Sequence, residues 1–100
     1  METFWRVEDM LGRGCYRNQP TKCILNRHDN QKTHPTPLQD ININRTQKPL
    51  EISGFLSEHQ AKNWFNDLEL QTLKYMGFEL KKIKVEKITS FSGYQALAIR

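Results

Sequence analysis

From residue 52 to residue 78 the chain reads ISGFLSEHQAKNWFNDLELQTLKYMGF, and its apolar positions recur at helical intervals. Ala61, Trp64, Phe65 and Leu68 form one stripe of the kind an amphipathic helix turns toward a core. Ser57 followed by Gln60 is a capping-box pattern, in which the hydroxyl accepts from the amide three residues on and the side-chain amide reaches back. A helix beginning at Glu58 follows. Carried onward at about 100° per residue, the same wheel puts Leu70 and Leu73 off that stripe, while Asn66 and Glu69 repeat the cap pattern. The pattern therefore predicts a break near Asn66 and a second helix carrying Leu70, Leu73 and Met76 inward. It ends at Gly77, suited to a left-handed C′ position, with Phe78 turned back onto Leu73.

Period-two alternation marks the two ends of the chain. In TFWRVE, Trp5 and Val7 share one face and Phe4, Arg6 and Glu8 the other, which predicts an N-terminal strand from Thr3 to Glu8. Glycines at 12 and 14 turn the chain, and Cys15 and Tyr16 return to the core. Phe78 to Ile88 alternates with a phase slip between Leu80 and Ile83, as a bulge or bend at Lys81 and Lys82 would produce. Ser90 to Gly93 is a turn, and Tyr94 to Ile99 a last strand with Gln95, Leu97 and Ile99 on one face and Tyr94, Ala96 and Ala98 on the other. These elements give a single α+β domain over residues 1–100. Its small, mostly antiparallel sheet, an N-terminal strand plus a C-terminal hairpin, is covered on one face by two short consecutive helices.

Between the ends, residues 18–50 break both periods. This stretch holds all four prolines, and its five basic residues against two acidic ones supply three of the four net positive charges of the chain. Each residue before a proline in Thr33-His34-Pro35-Thr36-Pro37 is pushed to extended backbone, so no helix forms there. A short strand or turn at Asp40 to Asn44 is the one element expected. We expect a long irregular loop standing free of the core and available to grip a partner.

The hydrophobic fraction of 37% and mean hydropathy of −0.73 are low for 100 residues, so a single core has to come from the two ends. No apolar run approaches the length of a membrane span, and METFWRVEDM lacks the layout of a signal peptide. Hence a cytoplasmic protein without membrane contact, with Cys15 and Cys23 reduced. A pI near 9.2 permits a polyanionic partner without requiring one.

Candidate chemistry is sparse. Cys15, Cys23, His28 and His34 carry the right atoms for zinc, but seven residues separate the cysteines where one tight turn has to present both sulfurs. The bland reading is buried thiols and exposed loop histidines, with no metal. Lys81, Lys82 and Lys84, with Lys87, and loop cations such as Arg13, Arg17, Arg27 and Arg45 suggest a nucleic-acid surface. Strand alternation would split the lysines between two faces, and lysines guarding an edge strand explain them as well. There is no phosphate loop, His-Glu-x-x-His or Gly-x-Ser-x-Gly element, so no complete catalytic set and no cofactor is implied. His59 sits in a first helical turn and His34 with Asp40 could pair across the loop.

The ordered segments FWRVEDMLGRGCYRN, THPTPLQD, SGFLSEHQAKNWF with YMGFEL, and SGYQALAI resemble small accessory proteins encoded by tailed bacteriophages. That resemblance implies a protein made during infection and acting in the host cytoplasm against a host enzyme or defence system. Together with the compact core, the long basic loop and the lack of a complete catalytic set, it leads us to expect stoichiometric binding to, and inhibition of, a host protein or antiviral defence complex. Its contact residues would be Arg13, Arg17, Arg27, Lys32, His34, Arg45, Lys81, Lys82 and Lys84. A fainter resemblance is to compact ADP-ribosyltransferase-like domains, which open with an arginine-bearing strand and carry Phe-x-Ser before a helix. It maps onto Arg6, Ser57 and Gln95, with Tyr16 beside them, and implies an NAD or nucleotide pocket. Gln95 replaces the glutamate of those enzymes, which leaves binding without turnover as plausible as catalysis.

Overall fold

A computed structural model describes residues 1–17, 25–30 and 32–100, with Arg17 described in its backbone alone. The α+β class is as expected: the described residues form five strands and two α-helices, in the order β1 (Glu2–Glu8), β2 (Glu51–Gly54), α1 (Glu58–Trp64), α2 (Asp67–Tyr75), β3 (Glu79–Val85), β4 (Lys87–Phe91) and β5 (Ala96–Ile99).

The helices begin and end as their caps dictate. Ser57 accepts from the Gln60 amide at 3.2 Å, although Gln60 reaches back one residue further than a capping box requires, to the Leu56 amide. Asn66 and Glu69 form the complete box at the start of α2. Gly77 closes that helix at φ +89°, and the Phe78 amide donates to the Leu73 carbonyl at 2.9 Å, the long C-terminal bond that satisfies an otherwise orphaned carbonyl. One stripe position departs from expectation: the chain breaks before Leu68, which is 71% exposed on α2.

The strands form two antiparallel sheets, β1-β3 and β2-β5-β4. β1 and β3 pair from Glu2↔Val85 to Glu8↔Glu79 with no shift at Lys81 or Lys82, so the bulge expected there is absent. The irregularity lies between Ile88 and Ser90 on β4 instead. Burial on both faces explains the phase slip. Leu80 packs with Val7, Trp64, Phe65 and Leu73 beneath the helices, whereas Ile83 packs with Phe4, Val85, Ala96 and Ala98 against the second sheet. Apolar residues can therefore occupy either parity of one unbroken strand.

A bridge between Trp5 and Phe55, with both backbone bonds made at 2.8 and 2.7 Å, links the sheets at one side. At the other side β3 runs on into β4 through Glu86, whose amide donates to Ile99 at 2.8 Å. Gly54 makes the crossing feasible, because a Cβ there would lie 2.3 Å from the Phe4 ring and 2.4 Å from the Trp5 carbonyl oxygen. The described part of the 18–50 stretch does not stand free. Leu25, His34, Asp40 and Ile43 are buried, and Asp40 to Asn44 is a turn closed by bonds from the Ile43 and Asn44 amides to the Asp40 carbonyl.

Candidate functional site

Polar side chains draw the middle stretch inward. The Ser92 hydroxyl donates to Asp40 Oδ2 at 2.5 Å and accepts from the Tyr94 amide at 3.0 Å. Gln95 Nε2 donates to the same Asp40 oxygen at 3.1 Å and to the Pro35 carbonyl at 2.7 Å. Arg45 forks onto both Glu51 oxygens at 2.7 Å and reaches Ser90 Oγ at 3.0 Å. Thr89 and the Lys48 amide also donate to Glu51, and these partners, Arg45 foremost, bring its pKa down to about 2. The turn from residue 36 to 44 and the β4–β5 turn are thereby latched together.

A second network runs under the short turn Asn26–Asp29. The Trp64 indole can only donate, and it meets Tyr16 Oη at 2.5 Å. Tyr16 therefore donates its own proton to His28 Nδ1, also at 2.5 Å, and His28 Nε2 is the protonated nitrogen, 3.2 Å from each Glu69 carboxylate oxygen. Burial lowers the His28 pKa and raises that of Tyr16, so both are neutral at pH 7, as this chain of bonds requires. Burial works to raise the Glu69 pKa, but bonds from Arg27, the Asn66 amide and His28 outweigh it and leave it lowered. His34 stacks on His28 with centroids 4.1 Å apart and donates from Nε2 to the Trp64 carbonyl at 2.6 Å.

Beside these rings opens a cleft of about 490 Å³, bordered by Tyr16, Leu25, Asp29, Pro35, Trp64 and Gln95. That volume is in the range of small-ligand sites. A smaller cavity of about 50 Å³, lined by Arg6, Cys15, Tyr16, Phe55 and Gln95, shares Tyr16, Trp64 and Gln95 with it.

Three of the four positions expected for a nucleotide therefore converge. Arg6, Tyr16 and Gln95 border the small cavity, but its 50 Å³ has room for about one or two waters and not for a nucleotide. Arg6 is buried in an ion pair with Glu8 at 3.2 Å and donates to the Ser53 carbonyl at 2.8 Å, a structural role. Ser57 is occupied in capping α1. Arg100 completes the pair from the far end of the chain, donating to both Glu8 oxygens at 2.8 and 2.7 Å. Cys15 is buried, which pushes its thiol up to about 12.

The expected contact cations are dispersed. Arg13 pairs with Asp9, Arg27 with Glu69, and Lys84 bonds Thr3. Lys81 and Lys82 point to opposite faces of β3, the first toward the Asp9 carbonyl and the second over the Trp5 ring at 6.0 Å. Lys32 is exposed. His34 is buried, against the expectation of an exposed loop histidine, because its ring is needed to satisfy the end of α1. Arg17 as a side chain, and Lys22 and Cys23, lie outside the described residues, among which no cluster of metal-ligating side chains occurs. None of the described helices is long and apolar enough to cross a membrane.

A family model described as Bacteriophage T4 Y00F protein matches residues 1–98. Neither a curated protein nor a solved structure matches.

Proposed function

The chain belongs to the Bacteriophage T4 Y00F protein family, and from that premise we propose that it works in the host cytoplasm as a non-enzymatic accessory protein. It binds a host protein or antiviral defence complex stoichiometrically and holds it inactive. The observation that carries this reading is the display of apolar side chains on two braced turns. Leu38 and Ile41 stand exposed on one turn, Phe91 and Tyr94 on the other, with Ile41 88% and Phe91 60% accessible. The latch through Asp40, Ser92 and Gln95 ties those turns to each other. Large apolar groups on a pre-ordered backbone lose little entropy on binding, which is what a contact residue needs. The polar groups that could do chemistry are instead committed inside the protein, Tyr16 to His28, His28 to Glu69 and Arg6 to Glu8. The exposed charges of Arg13, Lys32, Lys82 and Lys84 would speed encounter with an acidic surface.

Immobilised protein titrated with host lysate should retain one host protein saturably, at a 1:1 ratio. An Ile41→Ser/Phe91→Ser variant keeps the latch and should retain it at least about tenfold more weakly, as loss of central contact residues does. A Leu68→Ser control on α2 should behave as wild type. Absence of a saturable partner, or equal retention by all three proteins, rules this function out.

A further inference from the structure

The cleft of about 490 Å³ is unbalanced in its hydrogen-bonding groups. Its ring-borne donors are committed to the protein, the Trp64 indole to Tyr16, the Tyr16 hydroxyl to His28, His28 Nε2 to Glu69 and His34 Nε2 to the Trp64 carbonyl, while the Ser53 and Thr36 hydroxyls can turn either way. Its acceptors are not committed. Gln95 faces a carbonyl and a carboxylate with one end of its amide, at 2.7 and 3.1 Å, so that end is the nitrogen. Oε1 of this side chain, in a residue only 5% exposed, is left without a donor among the described residues, which is rare for a buried carbonyl. Gln47 likewise commits its amide nitrogen to the Glu51 carbonyl at 2.7 Å. Asp29 is the one acidic or basic side chain other than histidine that the described residues place on the cleft wall, and it makes no ion pair or side-chain hydrogen bond among them. Two aromatic side chains, Tyr16 and Trp64, also line the wall.

We propose that this cleft binds a planar cation that donates through N–H groups, of guanidinium or amidinium type. Such a group forks onto a carboxylate, lies against aromatic faces and supplies the donor that Gln95 Oε1 lacks. A phosphate or carboxylate would instead meet Asp29 and uncommitted oxygens. The same chemistry could arrive on a free small molecule or on an arginine side chain of a bound protein, and only the second source rests on the host-binding reading above.

Titrating ¹⁵N-labelled protein with benzamidine should shift the Trp64 indole and Gln95 side-chain amide signals saturably in the millimolar range. Benzamide and benzoate should bind at least about tenfold more weakly, since each lacks the charge-assisted fork. Asp29 is exposed, so Asp29→Asn leaves the fold intact, and it should weaken benzamidine by about tenfold. Equal binding of the three probes, no saturable shift, or an unchanged affinity in Asp29→Asn overturns the proposal. If acetyl-arginine-amide, but not acetyl-lysine-amide, also releases a captured host protein, the natural group is a partner's arginine; benzamidine binding without release assigns a free small molecule. Benzamidine binding with no host protein captured leaves this site standing and removes only the host-binding function.

Discussion

Glu51 shows how a carboxylate can be buried in so polar a chain. It accepts four donors, two from Arg45 and one each from Thr89 and the Lys48 amide, so the cost of removing it from water is offset by charge-assisted bonds. Its pKa falls from an ordinary 4.5 to about 2. A carboxylate lowered in the folded state binds fewer protons than in the unfolded chain, so its stabilisation is present above pH 4.5 and is lost as pH falls toward 2. The size is at most about 3 kcal/mol. Urea midpoints of wild type should drop steeply across that window, and those of Glu51→Gln should be lower at pH 7 and much flatter below 4.5. Glu8 and Glu69, whose pKa values are also lowered, will leave some slope in the variant. Identical pH profiles would show that Arg45 and Glu51 contribute nothing to acid stability.

At the level of elements, what could be read in advance was whatever depends on near neighbours. Both caps, the break before α2 and the Gly77 ending involve residues within five positions of one another. β2 could not be read, because EISG has one apolar residue, and its inward Glu51 looks like a solvent position until Arg45 is placed beside it. The tandem of helices also sets up the His28 network, since Glu69 both completes the α2 capping box and receives Arg27 and His28. Removing the cap alone, Asn66→Ala, should cost about 1 kcal/mol in chemical denaturation. Glu69→Ala should cost about 2–3 kcal/mol, because it also leaves the His28 Nε2–H without its acceptor and removes the Arg27 ion pair. The Trp64 indole resonance discriminates between the two: it should move in Glu69→Ala and stay in Asn66→Ala. Equal costs with no movement would separate α2 from the network.

For the molecule as a whole, the decisive feature is that a third of the chain has almost no hydrophobic pattern and its described part is nonetheless drawn into the structure. The bonds responsible join residues about fifty positions or more apart, Asp40 to Ser92 and Gln95, Pro35 to Gln95, and His34 to Trp64 across thirty. No periodicity reports such contacts, and their polar residues look like those of any solvated loop. The same fact makes Asp40 the point of greatest leverage. Asp40→Ala removes the acceptor for two buried donors, a loss of about 1.5–3 kcal/mol for hydrogen bonds to a charged group. That loss should appear as local opening of the middle stretch, not as global unfolding, because among the described residues the two hydrophobic clusters take only Leu25 from it. Native-state trypsin cleavage after Lys32 and Arg45 tracks the opened population and should accelerate by about tenfold or more in Asp40→Ala. Ser57→Ala, which costs about 1 kcal/mol at a helix cap, should leave cleavage at those two bonds close to wild type. If both variants are cut alike, the middle stretch is secured by the core as a whole and the two turns are not braced by Asp40.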